Sequence, residues 1–155
     1  MRIREAMTNR VARIRADASL FQAAEAVSLS GASDLMVVDS TGAFVGVLTE
    51  GDILRAALPD IDEIVAMGGS LEGAFDRFVE KGRDLAARPI MPLVIGNPLA
   101  VDPDDHVAKA AVVFVERNIR SLPVVRDGRL LGVISRADVC NAVVDDLQRP
   151  PVSAG

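Results

Sequence analysis

The sequence has few of the side chains that most classes of functional site require. Its 155 residues include five phenylalanines but no tryptophan or tyrosine, so they offer no aromatic platform for stacking single-stranded nucleic acid. A formal net charge of −5 argues against a broad footprint on a phosphate backbone. The single cysteine, Cys140, cannot form an internal disulfide, and the single histidine, His106, has no neighbours at metal-ligand spacing. We therefore predict no metal site, no catalytic residue and no nucleic-acid partner.

Two further absences bear on location. Residues 1–5 lack the apolar stretch of a signal peptide, and no apolar run reaches the roughly 20 residues that span a bilayer. The sequence therefore predicts a cytoplasmic protein that does not insert into a membrane. Half of the residues are nevertheless apolar, which is enough for one compact domain or two packed half-domains.

One motif occurs twice. Residues 46–52 read GVLTEGD and residues 132–138 read GVISRAD, so each copy has a glycine, two apolar residues, a hydroxyl residue, two variable residues and an aspartate. Other residues recur in the same order around both copies, which indicates an internal duplication. The predicted organisation is a first repeat, a helical insert, a second repeat and a disordered tail, at 1–58, 59–88, 89–148 and 149–155.

Each repeat predicts the same order of elements, β-α-β-β-α. The apolar spacing predicts helices at 19–30 and 106–117, and Asp127-Gly128 predicts a tight hairpin turn. The last strand of each repeat is almost wholly apolar and is expected to be buried on both faces. The remaining predicted elements are strands at 35–38, 122–125, 43–48 and 129–134, and closing helices at 50–58, the first stopped by Pro59, and at 136–147.

The insert is too long for a plain connection. Ser70 is positioned to cap a helix that carries apolar residues at helical spacing, and a shorter helix at 61–67 is expected to end at Gly68-Gly69. We interpret the insert as an amphipathic clamp that packs on its own subunit or on a dimer partner. A lid or a docking surface is the alternative.

The tandem β-α-β-β-α unit, with Gly-x-x-Thr/Ser-x-x-Asp at its last strand-helix corner, resembles the CBS domain. Two such domains form a Bateman module, and residues 122–125 (LPVV) and Asp127-Gly128 strengthen the resemblance. Met36 replaces the usual proline in the first copy. The resemblance implies an α/β (α+β) fold of two repeats related by a pseudo-twofold axis. It also implies two clefts between the repeats for adenosine-containing ligands, and disc-like homodimers formed through the helices. The chain resembles a stand-alone module.

The two corners carry residue types that suit such a ligand. A hydroxyl residue at a helix start, Thr49 or Ser135, lies where free N–H groups and the helix dipole attract phosphate. A carboxylate three residues on, Asp52 or Asp138, can accept two hydrogen bonds from the hydroxyls of a ribose. The same spacing also forms a capping box, which needs no ligand, so both interpretations stay open. Gly46 and Gly132 permit close approach of backbone or ligand, and the candidate walls for a base are Val47, Ile134, Met36 and Pro123.

The corners differ in charge. Arg120, Arg136 and Arg117 lie around the second corner, whereas the first repeat has Ser33, Glu50 and Ser30 at the corresponding positions. Because arginine donates hydrogen bonds to phosphate in pairs, we expect the second corner to prefer a phosphorylated ligand. The first corner is expected to bind weakly, to take a less charged ligand or to stay empty. Solvated helix charges are the alternative explanation of the arginines.

The preferred function is a regulatory module, not an enzyme. It would bind AMP, ADP or ATP, with S-adenosylmethionine or NAD as weaker candidates, and pass a conformational change to an unknown regulated protein. The alternative is a structural or dimerisation scaffold that binds no ligand and acts through its helical insert. The predicted ligand-binding residues are Gly46, Val47, Thr49, Asp52 and Met36 in the first repeat, and Gly132, Val133, Ile134, Ser135, Arg136, Asp138, Arg120 and Pro123 in the second.

Overall fold

The computed structural model shows a mixed α/β chain, as the sequence predicts. It describes residues 1–57, 61–66 and 68–150. The predicted stop at Pro59, the predicted helix end at residue 67 and residues 151–155 of the predicted tail lie outside that range. Within the described residues, none of the helices combines the length and apolar character that crossing a membrane requires.

The elements follow the predicted order, except at the first strand of the second repeat, where Val101 forms only an isolated parallel bridge to Val124. Otherwise the strands and helices of each repeat follow the order β-α-β-β-α, with a short helix before the first strand and two additional helices in the insert. In chain order they are α1 (Ile3–Ala6), β1 (Arg13–Arg15), α2 (Leu20–Ser30), β2 (Asp34–Val38), β3 (Phe44–Thr49), α3 (Glu50–Ala57), α4 (Ile61–Ala66), α5 (Leu71–Leu85), β4 (Ile95–Gly96), α6 (Val107–Arg117), β5 (Ser121–Arg126), β6 (Arg129–Ser135) and α7 (Arg136–Gln148), with a short 3₁₀ turn at Met91–Leu93 before β4.

The backbone forms two compact units. We call them the first unit, which contains residues 12–41 and 45–97, and the second unit, which contains residues 1–11, 42–44 and those from 98 onward. These units do not coincide with the repeats at 1–58 and 89–148. The first eleven residues, which lead the first repeat, belong to the second unit, and residues 89–97, which lead the second repeat, belong to the first.

Local sequence explains where the helices begin. Ser19 caps α2, since its hydroxyl accepts from the Gln22 N–H at 3.2 Å and the Gln22 side chain accepts from the Ser19 N–H at 2.9 Å. His106 caps α6 in a similar way, accepting from the Ala108 N–H at 3.2 Å. The helices predicted at 19–30 and 106–117 are therefore confirmed to within one residue.

The predicted Asp-Gly hairpin is also confirmed. Strands β5 and β6 pair antiparallel, and the turn between them places Asp127 and Gly128 at φ values of 51° and 74°. Two consecutive residues with positive φ match the twist of a two-residue hairpin, which is why Asp-Gly is favoured there. In the first unit the sheet order is β1-β2-β3-β4, with β1 parallel to β2.

Each unit has its own apolar core. In the first unit, alternate residues of β2 and β3 join residues of α2 and of the segments before α2 and before β4, which are Ala18, Ala23, Leu35, Val37, Leu48 and Ile90. In the second unit the same positions of β5 and β6 join residues of α1, of α6 and of the segment before α6, which are Ile3, Val101, Ala110, Phe114, Leu122, Val124 and Ile134. The equivalence of the two cores reflects the duplicated sequence.

One prediction about the strands is wrong for the second repeat. The last strand of each repeat was expected to be buried on both faces, and β3 has three consecutive buried residues, whereas β6 alternates between buried and exposed residues. Leu131 is 37% exposed, whereas Leu130 is 6% exposed. Strand β6 pairs with β5 in a two-stranded sheet, and only one face of that sheet carries the core of the second unit. An apolar composition therefore did not require burial on both faces.

The insert is helical and packs on its own unit. The Ser70 hydroxyl accepts from the Gly73 N–H at 3.0 Å and begins α5, as the sequence predicts. Phe78 and Leu85 face a small cluster that includes Leu20 and Ile53. Phe75 of the same helix is 64% exposed. One apolar face of α5 therefore packs against α2 and α3 of the first unit.

Candidate functional site

The second corner, where β6 meets α7, contains the capping box of its motif. The Asp138 carboxylate accepts with one oxygen, Oδ2, from the Ser135 N–H and from the Ser135 hydroxyl, both at 2.7 Å. The Ser135 hydroxyl in turn accepts from the Asp138 N–H at 3.2 Å. Among the described residues, no hydrogen bond reaches Oδ1 of Asp138, so one oxygen of this half-buried carboxylate remains an open acceptor.

The first corner, where β3 meets α3, has the same cap but a different carboxylate. Oδ2 of Asp52 accepts from the Thr49 hydroxyl at 2.7 Å, and the Asp52 N–H donates back to that hydroxyl at 3.1 Å. Oδ1 of Asp52 accepts from the Arg55 guanidinium at 2.6 Å. Partial burial raises the pKa of Asp52, but the bonds from Thr49 and Arg55 outweigh it and hold that pKa below its ordinary value. Both oxygens of Asp52 are therefore engaged.

The two corner glycines serve backbone pairing. A Cβ on Gly132 would lie 2.5 Å from the Thr8 carbonyl oxygen, and a Cβ on Gly46 would lie 2.3 Å from the Ile95 carbonyl oxygen. These contacts arise because Thr8 pairs with Val133 and because Gly46 opposes Gly96 across β3 and β4. The close approach predicted at both glycines is thus made by a neighbouring segment of the same unit.

The predicted apolar walls divide between two faces of the strands. Ile134, predicted as a wall for a base, is fully buried in the second core, because strand alternation turns its side chain towards that core. Val133 points to the opposite face and is the counterpart of Val47, which is 8% exposed. Met36 and Pro123 likewise alternate with core residues of β2 and β5, and both are buried. These four residues remain candidate wall residues.

The arginines around the second corner have different surroundings. Arg136 donates to the Ile119 carbonyl at 2.7 Å, to the Phe114 carbonyl at 3.4 Å and to the Asn118 side chain at 3.1 Å. Its guanidinium therefore stabilises the C-terminal end of α6, where carbonyl groups have no partners within the helix. Arg120 is exposed, and its own carbonyl accepts from the Arg136 N–H at 3.1 Å. Arg120 is thus the better candidate for a phosphate contact, and Arg117 is also exposed.

Three features of the second unit were not predicted. Asn118 ends α6 with a positive φ of 51° and supports Arg136. A groove of about 370 Å³ lies between α6 and α7, lined by Ala111, Phe114, Val115, Asn118, Arg136, Val139 and Cys140. Asn141 occupies the position that corresponds to Arg55. The alignment of the two repeats already places Asn141 opposite Arg55, so this last difference was visible in the sequence.

An ion-pair network lies apart from the corner motif in the same unit. Arg126 donates to Asp102 at 2.6 Å and also to Asp104, and Arg4 pairs with Asp104 at 2.9 Å. Arg126 lowers the pKa of Asp102 through this hydrogen bond, and the Asp104 N–H lowers it further. Among the described residues, no group of histidine, cysteine, aspartate or glutamate side chains is arranged to hold a metal ion.

Comparison with known proteins identifies the family. The CBS domain model matches twice, at residues 3–59 and 83–145. The uncharacterised protein MJ1404 of Methanocaldococcus jannaschii is 30% identical over 145 residues, which are 93% of this chain but only 32% of that protein. The chain therefore spans about a third of this relative.

Solved structures share the fold. The CBS-pair protein CBSX2 of Arabidopsis thaliana superposes with a TM-score of 0.79 at 22% identity, covering 96% of this chain and 98% of that one. CBSX2 has also been solved in complex with AMP, at a TM-score of 0.71, 23% identity and coverage of 95% and 98%. The CBS domain pair of MJ0100, solved with 5′-methylthioadenosine and S-adenosyl-L-methionine, gives 0.65 at 19% identity, with coverage of 92% and 99%. The family model, matched twice along most of the chain, shows that this protein belongs to the CBS domain family as a tandem pair.

Proposed function

We propose that the protein is a regulatory module that binds an adenosine-containing ligand, with AMP, ADP or ATP as first candidates, at the second corner. The observation that carries the proposal is the open oxygen of Asp138, held half-buried by Ser135 at the start of a 13-residue helix. A ribose presents two neighbouring hydroxyl donors, and a carboxylate fixed in this way is a suitable acceptor for them. The AMP complex of CBSX2 and the adenosine-containing ligands of MJ0100 support this choice of ligand class.

Arg120 supplies the charge that a phosphorylated ligand needs. Its guanidinium is exposed, and its backbone carbonyl accepts from the N–H of Arg136, the first residue of α7. The N-terminal end of α7 adds the partial positive charge of its free N–H groups. Arg136 fixes the loop at 118–120 by binding two of its groups and serves as a positioning residue for Arg120.

Isothermal titration with AMP, ATP, S-adenosylmethionine and NAD tests the proposal. Asp138→Asn keeps an oxygen for the helix cap but removes the charge, and we expect it to weaken AMP binding by about tenfold or more, since a hydrogen bond to a charged group is worth about 1.5–3 kcal/mol. Arg120→Ala should weaken AMP binding as well. Arg83→Ala, which removes an exposed arginine from α5, is the control for the change in net charge and should bind as wild type does.

The regulatory part of the proposal requires two conformations. A ligand shifts an equilibrium only by its difference in affinity for the two states, so AMP must bind one of them more tightly. AMP at about 100 times its dissociation constant should add about 2.7 kcal/mol to the free energy of unfolding. If none of the four ligands raises the melting temperature, the scaffold function, which acts through the insert, replaces the sensor.

The helices of the second unit offer a surface for a second copy of the chain. On α7 the apolar residues follow a spacing of three and four residues and are exposed, namely Cys140, Val143, Val144 and Leu147. Val115 of α6 is 85% exposed beside the groove. Exposed apolar surface of this extent marks an interaction site, and we propose a homodimer formed through α6 and α7. The free thiol of Cys140 suits the reducing cytoplasm, where we propose that the protein works.

A further inference from the structure

We infer that Arg55 competes with ligand hydroxyls for the Asp52 carboxylate and so weakens nucleotide binding at the first corner. The inference rests on the proposed function, because it assigns a specificity-determining residue to the same kind of site. It starts from the different partners of the two corner aspartates, because the two corners have the same kind of cap between an equivalent strand and an equivalent helix.

The contacts of Arg55 occupy the group that a ribose would need. The guanidinium lies 2.6 Å from Oδ1 of Asp52, and the Thr49 hydroxyl already holds Oδ2. A diol that donates two hydrogen bonds to this carboxylate must displace the guanidinium first. Because Arg55 follows Asp52 by three residues on the same helix, the pair closes within one turn of α3.

A second observation is that the first turn of α3 has no side chain at the position where the guanidinium lies. The guanidinium lies across Gly51, where an added Cβ would be 3.3 Å from Nη1 and 3.5 Å from Nη2 of Arg55. Both positions differ in the second corner, where Ala137 and Asn141 correspond to Gly51 and Arg55. Asn141 is exposed, short and uncharged, and it forms no hydrogen bond to Asp138 among the described residues. The glycine and the arginine therefore act as a pair that the second corner lacks.

The exposure of the Arg55 side chain limits how strongly its ion pair with Asp52 can weaken ligand binding. Arg55 is 71% exposed, and a salt bridge at the surface contributes up to about 1 kcal/mol, which is about fivefold in affinity. We therefore expect the arginine to weaken ribose binding at the first corner by about fivefold, and to do so less at high salt.

The test isolates each corner and exchanges the residues between them. In an Asp138→Asn background, which leaves the first corner as the site measured, adding Arg55→Asn should increase AMP affinity about fivefold in isothermal titration. Arg55→Lys keeps the positive charge and should give a smaller increase. In the wild-type background, Ala137→Gly with Asn141→Arg should weaken AMP binding at the second corner by a similar factor. Titration of the Asp52 carboxyl by NMR should show a rise of its pKa on Arg55→Asn, which tests the ion pair itself, whereas the gain in AMP affinity is the readout that a merely structural role of Arg55 would not produce.

Each result decides the inference. Unchanged or weaker AMP binding on Arg55→Asn, no detectable AMP binding by that variant, or a pKa of Asp52 that does not move would overturn it. Weaker binding would show instead that Arg55 contacts the phosphate. Wild-type protein that binds no adenosine compound would refute the second-corner proposal alone, because the gain on Arg55→Asn is measured separately.

Discussion

At the scale of single residues, the corner carboxylates show how one side chain serves both folding and binding. The cap at Ser135 uses only Oδ2 of Asp138, so the capping box that competes with the ligand interpretation in the sequence leaves an acceptor free for a ligand. The same cap at Thr49 leaves an oxygen that Arg55 takes. The distinction between the two corners therefore depends on the residue three positions beyond the aspartate, and not on the motif itself.

Asp102 provides a prediction about pH. Its pKa is lowered in the folded protein by Arg126 and by the Asp104 N–H, so it adds stability above its unfolded pKa of about 3.9 and loses that stability as the pH falls through the folded pKa. We expect the urea midpoint to fall less between pH 6 and pH 2.5 in Asp102→Asn than in wild type, with the variant less stable at pH 6. Asp145→Asn, an exposed residue of α7, is the control and should keep the wild-type difference.

Much of the residue-level site could be predicted from the sequence, because capping residues and Asp-Gly turns act locally. The hydrogen bonds of Ser135 with Asp138 and of Thr49 with Asp52 are of this kind. The face to which Ile134 points could not be predicted, because an almost wholly apolar strand has no polar alternation to reveal its buried side. The binding of Arg136 to the end of α6 depends on the packing of two helices and left no local signal.

At the scale of elements, β3 in the first unit and β6 in the second each pair with a segment from a distant part of the chain. Thr8 and Val133 exchange two backbone hydrogen bonds, each of 2.9 Å, and β3 pairs with β4 in the first unit. Sequence patterns predicted the bounds of the helices from their caps. They could not predict these pairings, because two or three extended residues carry little periodicity and their partners lie far along the chain.

The glycines at these pairings yield a prediction about stability. Gly132→Ala places a methyl group 2.5 Å from the Thr8 carbonyl oxygen, so the leading segment must shift, and we expect a loss of about 1–3 kcal/mol in the free energy of unfolding. Gly96→Ala is the matched control, since its added Cβ would meet no atom within 4 Å, and it should be neutral or slightly stabilising. Urea denaturation measures both, and equal stability of the two variants would show that Thr8 does not pair with Val133 in solution.

At the scale of the whole molecule, the exchange of leading segments makes each unit discontinuous in sequence. Residues 1–11 contribute Ile3 to the core of the second unit, and Ile90 contributes to the core of the first. Neither core is complete within one sequence repeat, which gives the duplication a physical reason to persist as a pair. The repeats predicted from the sequence therefore mark which segments were duplicated, whereas the two compact units mark which segments pack together.

The proposed dimer supplies the last prediction. Val115 and Leu147 are 85% and 80% exposed on the apolar surface of α6 and α7, and a charge at either position would be buried without a partner in a dimer formed there. We expect Val115→Glu or Leu147→Glu to weaken dimerisation by about 2 kcal/mol, or about 30-fold, in sedimentation analysis across a dilution series. Val65→Glu, at a residue of α4 that is 68% exposed, is the control. If the dimer tolerates both charges on α6 and α7 but dissociates on Val65→Glu, the interface lies on the insert. The insert would then pack on a dimer partner, which is one of the two arrangements that the sequence leaves open.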